Sequence, residues 1–151
     1  MRRTFLTLAA AALLALGSFA VPAMAEGYGK QKVVCHINYD GGEDSRAYRG
    51  AMRNVQNHIN AVGAENLEVK VVLHGNGLGL LMNAKKNDAL QTAVSSLKGQ
   101  NVNFHVCNNT LKGRKISCED DLYDVWEEDI VPSGVAELSR LQQMGYTYIK
   151  P

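Results

Sequence analysis

The residues of this chain best suited to chemistry are three cysteines and three histidines that sit in or beside β-rich runs. Cys107 closes the run VNFHVC and is followed by Asn108, Asn109, Thr110 and a glycine-marked turn. A thiolate is the form of cysteine that attacks sulfur, exchanges disulfides and binds metals. At a strand's carboxyl end, against the N–H groups of the next turn, a cysteine can hold that charge. Lys112 and Arg114 follow closely and can add positive potential. The same position also suits a buried or disulfide-bonded cysteine, and both readings stand at this point.

Cys118 follows Cys107 by 11 positions. A loop of that length folds back easily, so Cys118 can bond Cys107 structurally, resolve it as a redox partner, or do neither. Glu119, Asp120 and Asp121 disfavour a thiolate on Cys118 itself. Cys35 lies inside VVCHI, alternates with Val33 and Ile37, and reads as a small buried hydrophobe. His36 and His74 sit near the ends of the first two strands, and His105 shares a sheet face with Cys107. With Cys107 they form an alternative metal set, imidazole and thiolate suiting zinc or copper. Neither C-x-x-C nor H-x-x-x-H spacing is present. Hydrogen-bonded structural histidines are the plainer reading, and no metal or cofactor is expected.

The elements that position these residues follow from periodicity. KVVCHIN (32–38), LEVKVVLH (67–74) and VNFHVC (102–107) read as strands. DIVP is a brief fourth strand and YTYIKP a terminal one. Ser45 can cap a helix whose stripe is Tyr48, Met52, Val55, Ile59 and Val62, closed by Gly63. A second stripe, Leu90, Ala93, Val94 and Leu97, ends at Gly99, and Ser133 precedes a last helix closed by Gly145. EDDLYDVWEED reads as one or two helical turns. GNGLG (75–79) is not G-x-G-x-x-G and follows the second strand, so it reads as a strand-to-helix turn. Alternating strands and helices predict βαβ units with a mostly parallel sheet and helices on both faces. Ligand sites in such sheets lie outside the strands' carboxyl ends.

The chain has 151 residues, 16 basic and 15 acidic. Arg2 and Arg3, an apolar run from Phe5 to Val21, and Ala23-Met24-Ala25 form a signal-peptide pattern with cleavage after Ala25. RRTFL resembles a twin-arginine core, but it lacks the flanking residues, so ordinary secretion is favoured. The expected mature chain, 26–151, is one domain and periplasmic. Without the two signal arginines it has 14 basic and 15 acidic residues, a net charge of −1. No basic excess favours nucleic acid or an anionic membrane as partner. An exported protein meets conditions in which disulfides persist, and three cysteines leave at least one thiol free or paired between chains.

At LHGNGL, FHVCNNTLKGR and VPSGVAELSRLQQMGYTYIKP the chain resembles the DsrE/DsrF-like family in its YchN-like branch. The resemblance covers nearly all of 26–151. It implies a three-layer α/β/α sandwich around a mainly parallel sheet of about five strands, assembled as a homo- or hetero-oligomer. It also implies a persulfide on the cysteine of the segment that Cys107 occupies. Asn108, Asn109 and Thr110 would supply polar groups around that sulfur. The chain would then relay sulfane sulfur between donor and acceptor proteins, with sulfurtransferase-like chemistry at most. The aromatic end, Tyr146, Tyr148 and Ile149, is the expected packing segment of a homo-oligomer.

Overall fold

The computed structural model describes residues 27–151. The expected signal segment, the cleavage after Ala25 and the terminus at Glu26 lie outside the described residues. Five strands form one sheet: β1 (Gln31–Ile37), β2 (Leu67–Leu73), β3 (Asn103–Cys107), β4 (Ile130–Val131) and β5 (Thr147–Ile149). Their order is β4-β3-β2-β1-β5, and every pairing is parallel. With the helices on its two faces this is a three-layer α/β/α fold.

Topology explains why the two faces differ. From β1 to β4 the chain steps steadily in one direction across the sheet. Right-handed crossovers then place the intervening helices on one face. These are α1 (Arg46–Val62), α2 (Gly79–Ala84), α3 (Asp88–Gly99), α4 (Asn108–Arg114) and the single turn α5 (Cys118–Asp121). β5 returns to the opposite edge, so its crossover helix, α6 (Gly134–Gln143), lies on the other face.

The large core fills the first face. Tyr48, Met52, Val55 and Ile59 of α1 pack with Leu90, Val94 and Leu97 of α3 over Val33, Cys35, Ile37, Val71 and Phe104. The α6 face has a small core: Val34 and Val72 of the sheet, Leu138 and Leu141 of α6, and Tyr146. Many other sheet positions on that face are polar, His36 and His105 among them, and Cys107 shares the face.

Some local expectations change. Ser45 is the residue before α1, but its backbone is left-handed and its side chain caps nothing. Its hydroxyl instead accepts from Asn83 Nδ2 at 2.9 Å. Asn87 and Ser133 do cap α3 and α6, accepting from Leu90 N and Ala136 N. Strand β2 stops at Leu73, so His74 stands just beyond it. The turn after Cys107 is the helix α4. Tyr146, expected to pack across an interface, is 5% exposed and donates to Glu68 within its own chain. Tyr148, on edge strand β5, remains 40% exposed.

Candidate functional site

Cys107 is the last residue of β3 and immediately precedes α4. Its side chain points to the α6 face and is 4% exposed, more enclosed than the sequence suggests. Burial alone would raise the thiol's pKa. Four neighbouring donor groups oppose it by favouring the thiolate: the Gly134 N–H, the Thr110 hydroxyl, the Thr110 N–H and the Asn109 N–H. The net result is a pKa below that of an ordinary thiol. The expected cationic help from Lys112 and Arg114 is not what lowers it. Arg114 Nη2 instead donates to Asn76 Oδ1 at 2.8 Å. Asn109 and Thr110 are among these groups, whereas Asn108 opens α4 and is not.

Thr110 is itself fixed. Its Oγ1 accepts the Gly75 N–H at 2.9 Å, which leaves the hydroxyl proton free to be donated to the sulfur. Gly134 is fixed by shape: a Cβ there would lie 2.9 Å from His74 Cβ and 3.3 Å from Cys107 Cβ. Only a residue without a side chain lets the first turn of α6 come so close. One turn further on, Glu137 is 7% exposed and accepts from His105 Nδ1 at 2.9 Å. Arg140 donates to both carboxylate oxygens, at 2.8 and 2.7 Å. The Arg140 hydrogen bond is the largest of the effects that hold the Glu137 carboxyl below its usual range. Burial keeps His105 below its ordinary pKa against the pull of Glu137, so a neutral imidazole donates Nδ1–H to a carboxylate. This clamp ties α6 to β3 two residues before Cys107.

The clamp and the glycine give a first prediction. Gly134→Ala should push the first turn of α6 off the sulfur and remove one donor from the thiolate. A hydrogen bond to a charged group is worth about 1.5–3 kcal/mol, so the thiolate fraction at neutral pH should fall about tenfold or more. Iodoacetamide alkylation rates across pH read this directly. An unchanged profile would remove Gly134 from the account of the thiolate.

The other sequence candidates separate. His36 Nε2 lies 2.7 Å from His74 Nε2, and His36 Nδ1 lies 2.7 Å from the Tyr148 hydroxyl. His105 is instead engaged by Glu137, so the three histidines do not converge with Cys107. Among the described residues, no group of three or more His, Cys, Asp or Glu side chains is placed to hold a metal ion. Cys35, Cys107 and Cys118 are all free thiols. Cys118 packs against the core of the α1–α3 face, while Cys107 faces α6, so the alternative in which Cys118 pairs with Cys107 is not assembled. Burial pushes Cys35 up to about 12 and raises Cys118 as well. Sequence reasoning missed Gly134, Glu137 and the clamp.

The paired imidazoles give a second prediction. Burial first, then His74, then Lys150, lower His36 from an ordinary 6.5 to about 4. His74 is lowered too, by burial and Lys150. Above pH 6.5 folded and unfolded chains are both neutral at these sites, so stability is flat there. Below it the unfolded chain takes up protons that the fold refuses. Stability should therefore fall from pH 6.5 toward about 4. Thermal midpoints across that window check this, and His36→Gln should flatten the slope. Equal slopes in both proteins would count against it.

Comparison with known proteins extends the picture. The model of the DsrE/DsrF-like family matches residues 32–151. Among solved structures, the chain is similar to "Protein of Unknown Function MTH1491" from Methanobacterium thermoautotrophicum. The two are 30% identical, with a TM-score of 0.66, over 81% of this chain and 100% of that one. Among curated proteins nothing matches.

Proposed function

The chain belongs to the DsrE/DsrF-like family, and from that premise we propose that it carries sulfane sulfur as a persulfide on Cys107. Membership suggests a role connected with sulfur metabolism. The observation that carries the finer reading is the place of Cys107 at the end of β3, between the start of α4 and the Gly134 turn of α6, where four neighbouring N–H and hydroxyl groups lower its pKa. All four are neutral groups, so they stabilise a negative charge without supplying or removing a proton. Such a site suits holding an anionic sulfur more than driving acid–base turnover.

The loading step balances without an outside oxidant. The Cys107 thiolate attacks the terminal sulfur of a polysulfide or of a donor protein's persulfide. One S–S bond forms as another breaks, and the shortened polysulfide or donor thiolate leaves with the electron pair. The persulfide keeps the negative charge near the same N–H and hydroxyl donors. Release to an acceptor thiol is the reverse exchange.

Donor and acceptor proteins are the proposed partners, and the expected export places the relay in the periplasm. A homo-oligomer is part of the proposal. With Tyr146 buried, its contact would involve the exposed Tyr148 edge rather than the whole aromatic end. Light scattering at micromolar concentration reads the oligomer, and a strict monomer there would remove that part. Polysulfide exposure followed by intact-protein mass spectrometry tests the carrier reading itself. Blocking the thiol beforehand should abolish the mass gain, and peptide mapping should place the blocked thiol at Cys107.

A further inference from the structure

At the carboxyl ends of β1 and β2, under α6, the fold holds a cavity of about 480 Å³ that the Cys107 cradle leaves unused. That volume is in the range of small-ligand pockets. Its sheet-side wall is His36, Asn38, His74 and Tyr148. Helix α6 supplies Ser139 and Gln142 beside the aliphatic side chains of Val135 and Leu138, with no titratable group among them. Lys150 Nζ sits at the rim, 2.8 Å from Asn38 Oδ1. The wall therefore carries imidazole, phenol, amide and hydroxyl groups beside an ammonium, with no carboxylate. On α6 the nearest acid, Glu137, is committed to His105 and Arg140.

The imidazole pair is the unusual feature. With the Nε2 atoms 2.7 Å apart, one imidazole donates and the other accepts, and with ring centres 4.7 Å apart the rings meet edge to edge. One proton runs between the two Nε2 atoms, and the Tyr148 hydroxyl meets the far nitrogen of His36. A second proton on this pair would put a positive charge between rings already facing an ammonium. Nothing in the wall neutralises it. The missing counter-charge is an anion.

We propose that this cavity binds a small oxyanion, with uptake of one proton by the His36–His74 pair. The proton joins an imidazole, no covalent bond is made, and the oxyanion accepts hydrogen bonds from the imidazolium, Lys150 and the amide and hydroxyl groups of the wall. Tyr148 stays the fixed end of the chain of hydrogen bonds. The buried pair resists protonation when empty, so affinity must rise as pH falls. This site is independent of the persulfide reading of Cys107.

The probe is sulfate, titrated calorimetrically against a chloride background of matched ionic strength, with acetate as a second arm for carboxylates. From about pH 7.5 to about pH 5.5, across the ordinary imidazole range, sulfate affinity should rise tenfold or more. The heat should vary with buffer ionisation enthalpy as for uptake of one proton. His36→Gln and His74→Gln should each abolish the pH dependence. Lys150→Met should weaken binding across the whole range. Cys107→Ser should bind as wild type does, which keeps this result separate from any failure of sulfur loading. Thermal melts in chloride show which variants are folded, and in wild type sulfate should also raise the midpoint at the lower pH. Acetate binding in place of sulfate would overturn a tetrahedral oxyanion as the ligand in favour of a carboxylate. No saturable binding at the lower pH, binding without proton uptake, or wild-type pH-dependent binding by both histidine variants would overturn the site.

Discussion

Exposed to polysulfide, the wild-type chain is expected to gain one sulfur atom, and Cys107→Ser to gain none. The three thiols meet very different surroundings. Cys35 is 3% exposed in the apolar core, and burial pushes it up to about 12, so almost no thiolate exists near neutral pH. Cys118 is raised by burial as well, and it opens a turn that carries Glu119, Asp120 and Asp121. Only Cys107 is lowered. Because the thiolate is the attacking species, loading should survive Cys35→Ser and Cys118→Ser at wild-type extent. The enclosure of Cys107 adds a kinetic expectation. Small polysulfides should load it readily, whereas a bulky aromatic disulfide should react slowly by comparison. Loading that persists in Cys107→Ser would end the carrier reading. Loss of loading in Cys118→Ser as well would move the chemistry to a cysteine pair that the fold does not bring together.

Much of this arrangement was legible in the sequence, for identifiable reasons. Strands β1, β2 and β3 are β-branched runs bounded by Gly, Asn and Asp, and buried parallel strands carry that signature. The stripe from Tyr48 to Ile59 marks α1, because one helical face must cover the sheet. Cys107 was legible as a strand end, and strand ends are where open α/β sheets place ligands. Helix α4 was not legible. Asn-Asn-Thr at its start and Gly113 near its end are turn residues, and no side chain caps it. Tertiary contacts hold it instead: Leu111 is buried in the large core, and Thr110 accepts the Gly75 N–H.

The N–H groups of the next turn do favour the thiolate, but the two cations do not join them, for a related reason. Lys112 and Arg114 are near Cys107 in sequence, but a helix carries residues five and seven positions on well away from its start. Gly134 and Glu137 are distant in sequence, and the return crossover from β4 to β5 brings them onto Cys107 and His105. Spacing within a segment cannot show that. The histidines follow the same logic. His36 and His74 meet because β1 and β2 are neighbours ending at one level. His105 stands opposite Val72 as His36 does, but on the far side of β2, where Glu137 takes it.

The largest effect on stability should come from Gly77, in the turn that links β2 to α2. Its conformation needs no special backbone, so the constraint is contact alone. A Cβ at position 77 would lie 1.9 Å from the Ile37 carbonyl oxygen, 2.6 Å from its carbon and 3.1 Å from Asn38 N. All three are backbone atoms at the carboxyl end of the inner strand β1, so no rotamer change relieves the overlap. Either the 75–78 turn or the end of β1 must move. The turn is fixed by its neighbours: Leu78 is fully buried, the Tyr48 hydroxyl donates to the Asn76 carbonyl at 2.6 Å, and Gly75 N–H is bound to Thr110. Moving the end of β1 would displace His36 and Asn38 instead. Overpacking typically costs about 1–3 kcal/mol and more against rigid backbone. Gly77→Ala should therefore lower stability by about 3 kcal/mol or more and the thermal midpoint by roughly 10 °C. Gly99→Ala is the control, since a Cβ there meets nothing within 4 Å. Denaturant and thermal melts of both variants decide the matter. A Gly77→Ala protein as stable as the Gly99→Ala control would mean that β1 and this turn do not approach so closely.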